Sequence, residues 1–143
     1  MSKASISSFF KTLGAPLVNV LWSWGAVHKT SGDVIFRVWI DEHIRDTPSG
    51  KRHYRLTHHQ LYSDRESDAG YRERLEQIKV ARSKDRAFFV ICYPVDTTSQ
   101  PRSILNYKKD LVGMGQHLLE RDGDWWLEET TYVTLNEYAA LTA

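Results

Sequence analysis

The sequence predicts an α+β domain, a small curved or partly closed β-barrel that is flanked by helices. Residues 34–41 alternate between two unlike faces, as a strand does, and residues 63–86 carry apolar side chains at helical spacing. Several short strand patterns follow that helix. The chain has 143 residues, enough to bury a core, and we interpret residues 1–143 as one domain.

The first elements are a helix over residues 5–13, closed by Gly14 and Pro16, and a β-hairpin over residues 21–41. Gly32 lies in the hairpin turn, where its freedom to take positive φ is needed. The even-numbered residues from 34 to 40 are all apolar and should face the core. The odd-numbered residues of the same strand place an arginine, a tryptophan and an aspartate in a row on the other face.

A third strand over residues 52–57 leads to His58 and His59, which should point to opposite faces. In the long helix, Asp64, Ser67 or Asp68 is the expected cap. The remaining expected elements are strands at 87–93, 102–107, 116–121 and 125–128 and a helix at 134–141. On the long helix the residues at helical spacing are Tyr71, Leu75, Ile78 and Ala81 or Arg82. On the last helix Leu135, Tyr138 and Leu141 are expected to point inward. Gly113 and Gly115 are assigned to a loop.

The single cysteine, Cys92, excludes an internal disulfide and lies in an apolar run, which favours a buried, inert thiol. No signal peptide and no apolar run of about 20 residues is recognisable, so we expect a cytoplasmic protein without membrane contact. A net charge of +1 gives no general attraction to nucleic acid. Such binding would need a local basic patch.

The sequence contains no recognisable catalytic motif. Nucleophile-elbow, Walker and dinucleotide-binding patterns are absent, and the histidines are too scattered to chelate one ion. The carboxylate pairs are explained by turns or by opposite strand faces. We therefore predict no metal, no cofactor and no catalytic residues.

The hairpin tryptophans predict a slot for a flat, polar ring. Trp22, Ser23, Trp24, Trp39 and Asp41 are the candidate residues, with the tryptophans stacking and Ser23 or Asp41 meeting the polar edge. The alternative is ordinary packing, because tryptophans of small β-rich domains usually belong to the core or its rim.

Basic residues near the slot are candidates for contacts to a nucleic-acid backbone. Alternatively, these charges form only a solvated surface, as Glu73 and Glu76 on the long helix suggest. The candidates are Arg37, Lys51, Arg52, Arg55, Arg82 and Arg102.

Five strings carry a resemblance to a known family: LGAPLVNVLWSWGAV, VIFRVWIDE, GYRERLEQIKVARS, QPRSIL and DGDWWLEE. In this order they resemble a bacterial domain found alone or fused to HNH endonucleases. That domain is similar to the PUA-like superfamily, which includes the EVE, ASCH, YTH and SRA modules. The resemblance implies a small barrel with an aromatic pocket for a modified base. The chain lacks the HNH cysteines and histidines, so the resemblance does not imply cleavage.

The first functional hypothesis is therefore a non-catalytic nucleic-acid-binding domain, with DNA favoured over RNA. It would read a methylated or hydroxymethylated base, such as 5-methylcytosine, in the context of modification-dependent restriction and phage defence. The alternative is a protein-interaction module, a homodimer or an inhibitor in phage–host conflict, that uses exposed tryptophans as anchors. An RNA-processing enzyme of the ASCH kind is a third, weaker hypothesis.

Overall fold

The computed structural model describes residues 5–19, 23–62, 68–98 and 102–143. This part of the chain contains four helices and ten strands, which confirms the α+β class. The helices are α1 (Ile6–Thr12), α2 (His59–Tyr62), α3 (Ala69–Lys84) and α4 (Leu135–Leu141). The strands are β1 (Gly25–Val27), β2 (Val34–Trp39), β3 (His43–Ile44), β4 (His53–Arg55), β5 (Ala87–Pro94), β6 (Ile104–Tyr107), β7 (Leu111–Gly115), β8 (Leu118–Arg121), β9 (Asp124–Glu128) and β10 (Thr131–Thr134).

The strands form two sheets. The first has six strands in the order β1-β2-β5-β7-β10, with β6 also paired to β5. The pair β2–β5 is parallel and the other pairs are antiparallel. The second sheet has four antiparallel strands in the order β3-β4-β9-β8. Across the described residues neither strand order returns to its first strand, so neither sheet closes into a barrel.

Two strand pairs connect the sheets. β7 pairs with β10 in the first sheet, and their chain neighbours β8 and β9 pair in the second. The amide of Thr130 donates to the carbonyl of Met114 at 3.0 Å, and the amide of Glu128 donates to the carbonyl of His117 at 2.9 Å. Hydrogen bonds therefore continue between the two chain segments where they pass from the first sheet to the second. The hairpin closes at Asp122 and Gly123, both at positive φ, as a tight two-residue turn requires.

The first sheet is buried on both faces. The even-numbered side chains of β2 lie in a core with Ile78 of α3 and Tyr54 of the second sheet, as expected. The opposite face is not free, because Ile35 packs in a second core with Phe10 of α1 and Tyr138 of α4. The two faces of β2 therefore pack into two different cores. The polar side chain of β2, Arg37, lies toward the C-terminal end of the strand.

The inward face of α3 agrees with the expected one at Ile78 and Ala81 and differs from it at Tyr71 and Leu75. Asp68 is the N-cap and accepts the amide of Tyr71 at 2.9 Å. Ile78 is buried, but Tyr71 and Leu75 are only half-buried. The helix is turned so that Arg74 points inward, with 3% of its surface exposed. Hydrogen bonds to backbone carbonyls make this burial tolerable.

The loop assignment of Gly113 and Gly115 was wrong, since both lie in β7. A Cβ on Gly113 would stand 2.2 Å from the ring of Phe89, so glycine is required there for packing. The strand β10 was not predicted, and His59 begins the short helix α2, not the end of a strand. Leu141 was expected inside but is 41% exposed, because the short α4 buries only Tyr138.

Candidate functional site

A cavity of about 140 Å³ lies at the end of β2, between α3 and the chain that follows β4. An engineered protein cavity of about 150 Å³ holds one benzene molecule, so this space suits one six-membered ring. Its walls combine aromatic, aliphatic and guanidinium groups. The lining residues are Trp24, Arg37, Val38, Trp39, Glu42, Arg55, Leu56, Thr57, His58, Leu61, Arg74, Cys92 and Arg102.

The cavity exists because β2 is longer than its neighbour β1. Their pairing ends at Gly25 and Phe36, after which the amide of Arg37 donates to the carbonyl of Trp24 at 2.8 Å. β2 continues to Trp39, paired with β5 on its other side. The half-buried indoles of Trp24 and Trp39 therefore both reach the cavity.

Arg37 brings a guanidinium into this largely buried wall. Its Nη1 donates to the carbonyl of Ser23 at 2.9 Å. Burial lowers the pKa of Arg37, because a charged group is costly to remove from water. Among the described residues, no carboxylate oxygen lies within the 4.0 Å of an ion pair with it. Its charge is therefore met by a backbone carbonyl and not by an acid.

Arg74, which was not among the site residues predicted from the sequence, also lines the cavity and is the buried arginine of its wall. Its Nη2 donates to the carbonyls of Trp24 at 2.7 Å and Arg37 at 2.9 Å. The guanidinium lies 5.0 Å from the ring of Phe36 and 5.7 Å from that of Trp24. The sequence could have indicated Arg74 by its spacing, because a residue four positions before Ile78 lies on the same face of α3.

Arg102 covers one side of Trp39, with its guanidinium carbon 5.4 Å from the ring centroid. Its Nη1 and Nη2 donate to the two carboxylate oxygens of Asp41 at 2.7 and 2.9 Å, and Nη2 also donates to the carbonyl of Thr97 at 2.8 Å. The bond to Asp41 raises the pKa of Arg102. Asp41 itself does not line the cavity, so its part is to orient Arg102.

A buried carboxylate, Asp124, fixes the wall after β4. It accepts from Arg55 Nη1 at 2.9 Å, from Thr57 Oγ1 at 2.8 Å and from the amide of His59 at 2.8 Å. Burial alone would raise the pKa of Asp124, but the hydrogen bonds from His59 and Thr57, with the charge of Arg55, outweigh it and lower the pKa. Glu42 completes this wall, 3.9 Å from Arg55 and 4.0 Å from Arg102.

The remaining candidates lie elsewhere. Ser23 is fully buried and supports the wall, since it accepts Arg37 through its carbonyl and donates to Glu73 Oε2 at 3.2 Å. Trp22 lies outside the described residues.

Lys51, Arg52 and Arg82 do not line the cavity. They contact Glu128, the hydroxyl of Tyr54 and the ring of Trp125, respectively. Their contact with a nucleic-acid backbone stays a prediction, whereas Trp24, Arg37, Trp39, Arg55 and Arg102 do meet in one cavity.

The cavity wall also contains the single cysteine of the sequence. Cys92 lines it but is 1% exposed, and burial raises the pKa of its thiol to about 11, which keeps the thiol protonated near neutral pH. Within the described ranges, no group of three or more His, Cys, Asp or Glu side chains could hold a metal ion. The same ranges contain no helix long and apolar enough to cross a bilayer.

No protein-family model, curated protein or solved structure matches this chain. The fold and the site define it as an α+β domain with a ring-sized cavity of tryptophans and arginines.

Proposed function

We propose that the chain is a non-catalytic nucleic-acid-binding domain that holds one base, turned out of the strand, in the cavity beside Trp39. The base is a modified cytosine, and DNA is the favoured nucleic acid. The observation that carries the proposal is the match between a cavity of about 140 Å³ and a single ring, with two indoles and four arginines in its walls.

The residue types suit that ligand. Base–aromatic stacking contributes about 1–3 kcal/mol per base, and guanidinium groups donate to carbonyl and ring-nitrogen acceptors on base edges. Glu42 is the complementary acceptor for an exocyclic amino group such as that of cytosine. The cavity is smaller than the roughly 300 Å³ at which ordinary small-molecule pockets begin. One base fits this volume, whereas a whole nucleotide would have to remain mostly outside.

The PUA-like relationship belongs to the same proposal. Two sheets joined by bent strands, with helices on their faces, are compatible with a barrel-like relative that receives a base at its edge. In this proposal Arg55 and Arg102 at the cavity, with Lys51, Arg52 and Arg82 on other surfaces, give the salt-dependent attraction to phosphates.

The protein-interaction hypothesis relied on exposed tryptophans as anchors. Each of the four described tryptophans is buried or half-buried, and each has an arginine over its ring. The pairs are Trp24 with Arg74, Trp39 with Arg102, Trp125 with Arg82, and Trp126 with Arg55. Rings already covered in this way are poor anchors for a partner protein, so the base-binding proposal is favoured.

The test is a titration of the full chain with short duplexes that differ at one base: cytosine, 5-methylcytosine or 5-hydroxymethylcytosine. Tryptophan fluorescence and the anisotropy of labelled DNA are followed together at two salt concentrations. We expect quenching specific to one modified duplex, while overall affinity falls with salt and the preference between duplexes does not. Absence of binding at low salt to every duplex would refute the proposal and direct the search to a protein partner.

A further inference from the structure

Arg37 brings a positive charge into the wall of the cavity, and this charge has no carboxylate partner among the described residues. Its Nη1 donates to the carbonyl of Ser23, and its Nε is buried without a hydrogen-bond partner. Arg37 is half-buried. A guanidinium withdrawn from water is usually paired with an acid, because a neutral carbonyl does not offset the loss of hydration around a full charge. No acid of the described residues lies within ion-pair distance of Arg37.

Two of the other three arginines of the cavity, Arg55 and Arg102, form ion pairs with acids. Arg102 is held by Asp41 at 2.7 Å and Arg55 by Asp124 at 2.9 Å, and Glu42 lies near both arginines. The cavity is therefore uneven in charge. On the side of Arg55 and Arg102, positive and negative charges offset each other. On the side of Arg37, no ion pair among the described residues offsets the positive charge.

Arg74 strengthens the same side of the cavity. Its guanidinium donates to the carbonyl of Arg37, and both arginines act electrostatically on the thiol of Cys92. Glu73 lies on the same side but is engaged by the hydroxyl of Ser23, and burial raises the pKa of its carboxyl group. The hydroxyl of Ser23 and the charge of Arg74 act on Glu73 in the opposite sense, so its carboxylate is engaged by these residues, and it forms no ion pair with Arg37.

We propose that the ligand itself supplies the missing anion, as a carboxylate carried on the bound ring and directed at Arg37. This inference rests on the proposed function, and it changes the preferred base from a methylated or hydroxymethylated cytosine to a 5-carboxylated one. The guanidinium then gains a charged acceptor in a site that excludes water, where such hydrogen bonds are strongest. A carboxamide of the same shape offers no charge.

The first experiment uses that isosteric pair as free bases. 5-Carboxyuracil and 5-carbamoyluracil are titrated into the full chain at neutral pH by calorimetry. We expect the carboxylate to bind more tightly by roughly tenfold or more, the range of a hydrogen bond to a charged group. Equal affinities, or tighter binding of the carboxamide, would overturn the inference. Orthophosphate that displaces the carboxylate at equal concentration would also overturn it, in favour of a phosphate at Arg37.

The second experiment assigns the preference to Arg37. Arg37→Gln should reduce the ratio between the two bases to about one, while Arg37→Lys retains part of it. Arg121→Gln, which removes a guanidinium paired with Asp46 outside the cavity, should leave the ratio unchanged. A ratio that survives Arg37→Gln contradicts the inference. If Arg37→Gln does not fold, the ratio in the unmodified chain, together with Arg37→Lys, still decides.

Duplexes carrying 5-carboxylcytosine or 5-methylcytosine separate this inference from the proposed function. Tighter binding of the methylated duplex, with no preference between the free bases, refutes the carboxylate and leaves base reading in place. A preference between the free bases with no binding of any duplex supports the carboxylate and refutes nucleic-acid reading.

Discussion

Arg102 lies over the indole of Trp39 with its guanidinium carbon 5.4 Å from the ring centroid, although 63 positions separate the two residues in the sequence. Asp41, two residues after Trp39, holds the guanidinium in this place through both carboxylate oxygens. One side of the Trp39 ring is thus covered from within the protein. A ligand ring in the cavity would meet this preorganised aromatic–guanidinium pair, which loses little entropy on binding.

Replacement of Trp39 tests the stacking surface. Trp39→Ala should abolish discrimination between modified and plain duplexes, a loss of about 1–3 kcal/mol, while weak and salt-sensitive binding remains. Trp125→Ala is the matched control, since Trp125 is also half-buried under an arginine but lies outside the cavity. Anisotropy titrations of both variants measure the effect. An equal loss for modified and plain DNA in Trp39→Ala would contradict a base pocket at this residue.

Asp41→Asn tests the orientation of Arg102. The amide cannot accept two charged hydrogen bonds, so Arg102 should lose its fixed position and ligand affinity should fall about three- to tenfold. The stability change should stay below about 1 kcal/mol, because the pair is near the surface. Asp46→Asn, which breaks the exposed pair with Arg121, should change neither quantity appreciably. If both variants bind alike, Arg102 does not depend on Asp41.

Asp33 should be a main source of acid sensitivity. Its side chain is fully buried and accepts Nε and Nη2 of Arg86, both at 2.9 Å. Burial raises the pKa of Asp33, but the hydrogen bonds from Arg86 and Ser31 and the nearby positive charges outweigh it and lower the pKa below 3.8. The stabilisation is therefore present in full well above pH 3.8, declines below that value and is lost as the pH falls through the lower pKa of the folded state.

Asp33→Asn should accordingly cost roughly 3–5 kcal/mol at neutral pH, since it leaves Arg86 without its carboxylate. Urea unfolding measures this cost at several pH values. The difference from the unmodified chain should stay constant above about pH 5 and shrink at pH values below the ordinary carboxyl pKa. Asp110→Asn, which removes an exposed carboxylate 3.6 Å from Lys108, is the control and should have little effect. A difference that grows on acidification would contradict the assignment.

Gly113→Ala should destabilise the first sheet by about 1–3 kcal/mol through overpacking. The added Cβ would lie 2.2 Å from ring atoms of Phe89, which is itself fully buried. Thermal unfolding of Gly113→Ala, Phe89→Leu and the double variant forms a cycle. We expect the double variant to lose less than the sum of the single losses, because the smaller side chain makes room for the methyl group. Additive losses would show that the two residues do not compete for space.

Cys92 gives a direct test of burial at the cavity. With a thiol pKa of about 11 and 1% exposure, it should react with iodoacetamide at pH 8 about a hundredfold more slowly in the native chain than in urea. The native rate should rise as the pH approaches that value. Because the sequence has one cysteine, mass spectrometry assigns the product without ambiguity. Fast alkylation of the native chain would show that the cavity opens.

Local patterns in the sequence were sufficient for much of the fold. The alternation along β2, the capping aspartate of α3 and the turn at Gly32 depend on neighbours in the chain, so their physical causes are visible there. The same patterns placed Trp24 and Trp39 on one hairpin, and both reach the cavity. The sequence by itself therefore determined the α+β class and the aromatic part of the candidate site.

Only the tertiary structure decided which charges meet those tryptophans. Arg74 and Arg102 come from α3 and from the chain before β6, and their partners are backbone carbonyls and an aspartate far away in sequence. Side-chain spacing does not reveal such partners, because they are brought together by the rotation of α3 and by the pairing of β2 with β5. The strand β7 was missed for a related reason. Gly113 leaves room for the ring of Phe89 on β5, and Gly115 for Leu127 and the carbonyl of Glu128 on β9. Local propensity, which does not include these contacts, assigns the two glycines to a loop.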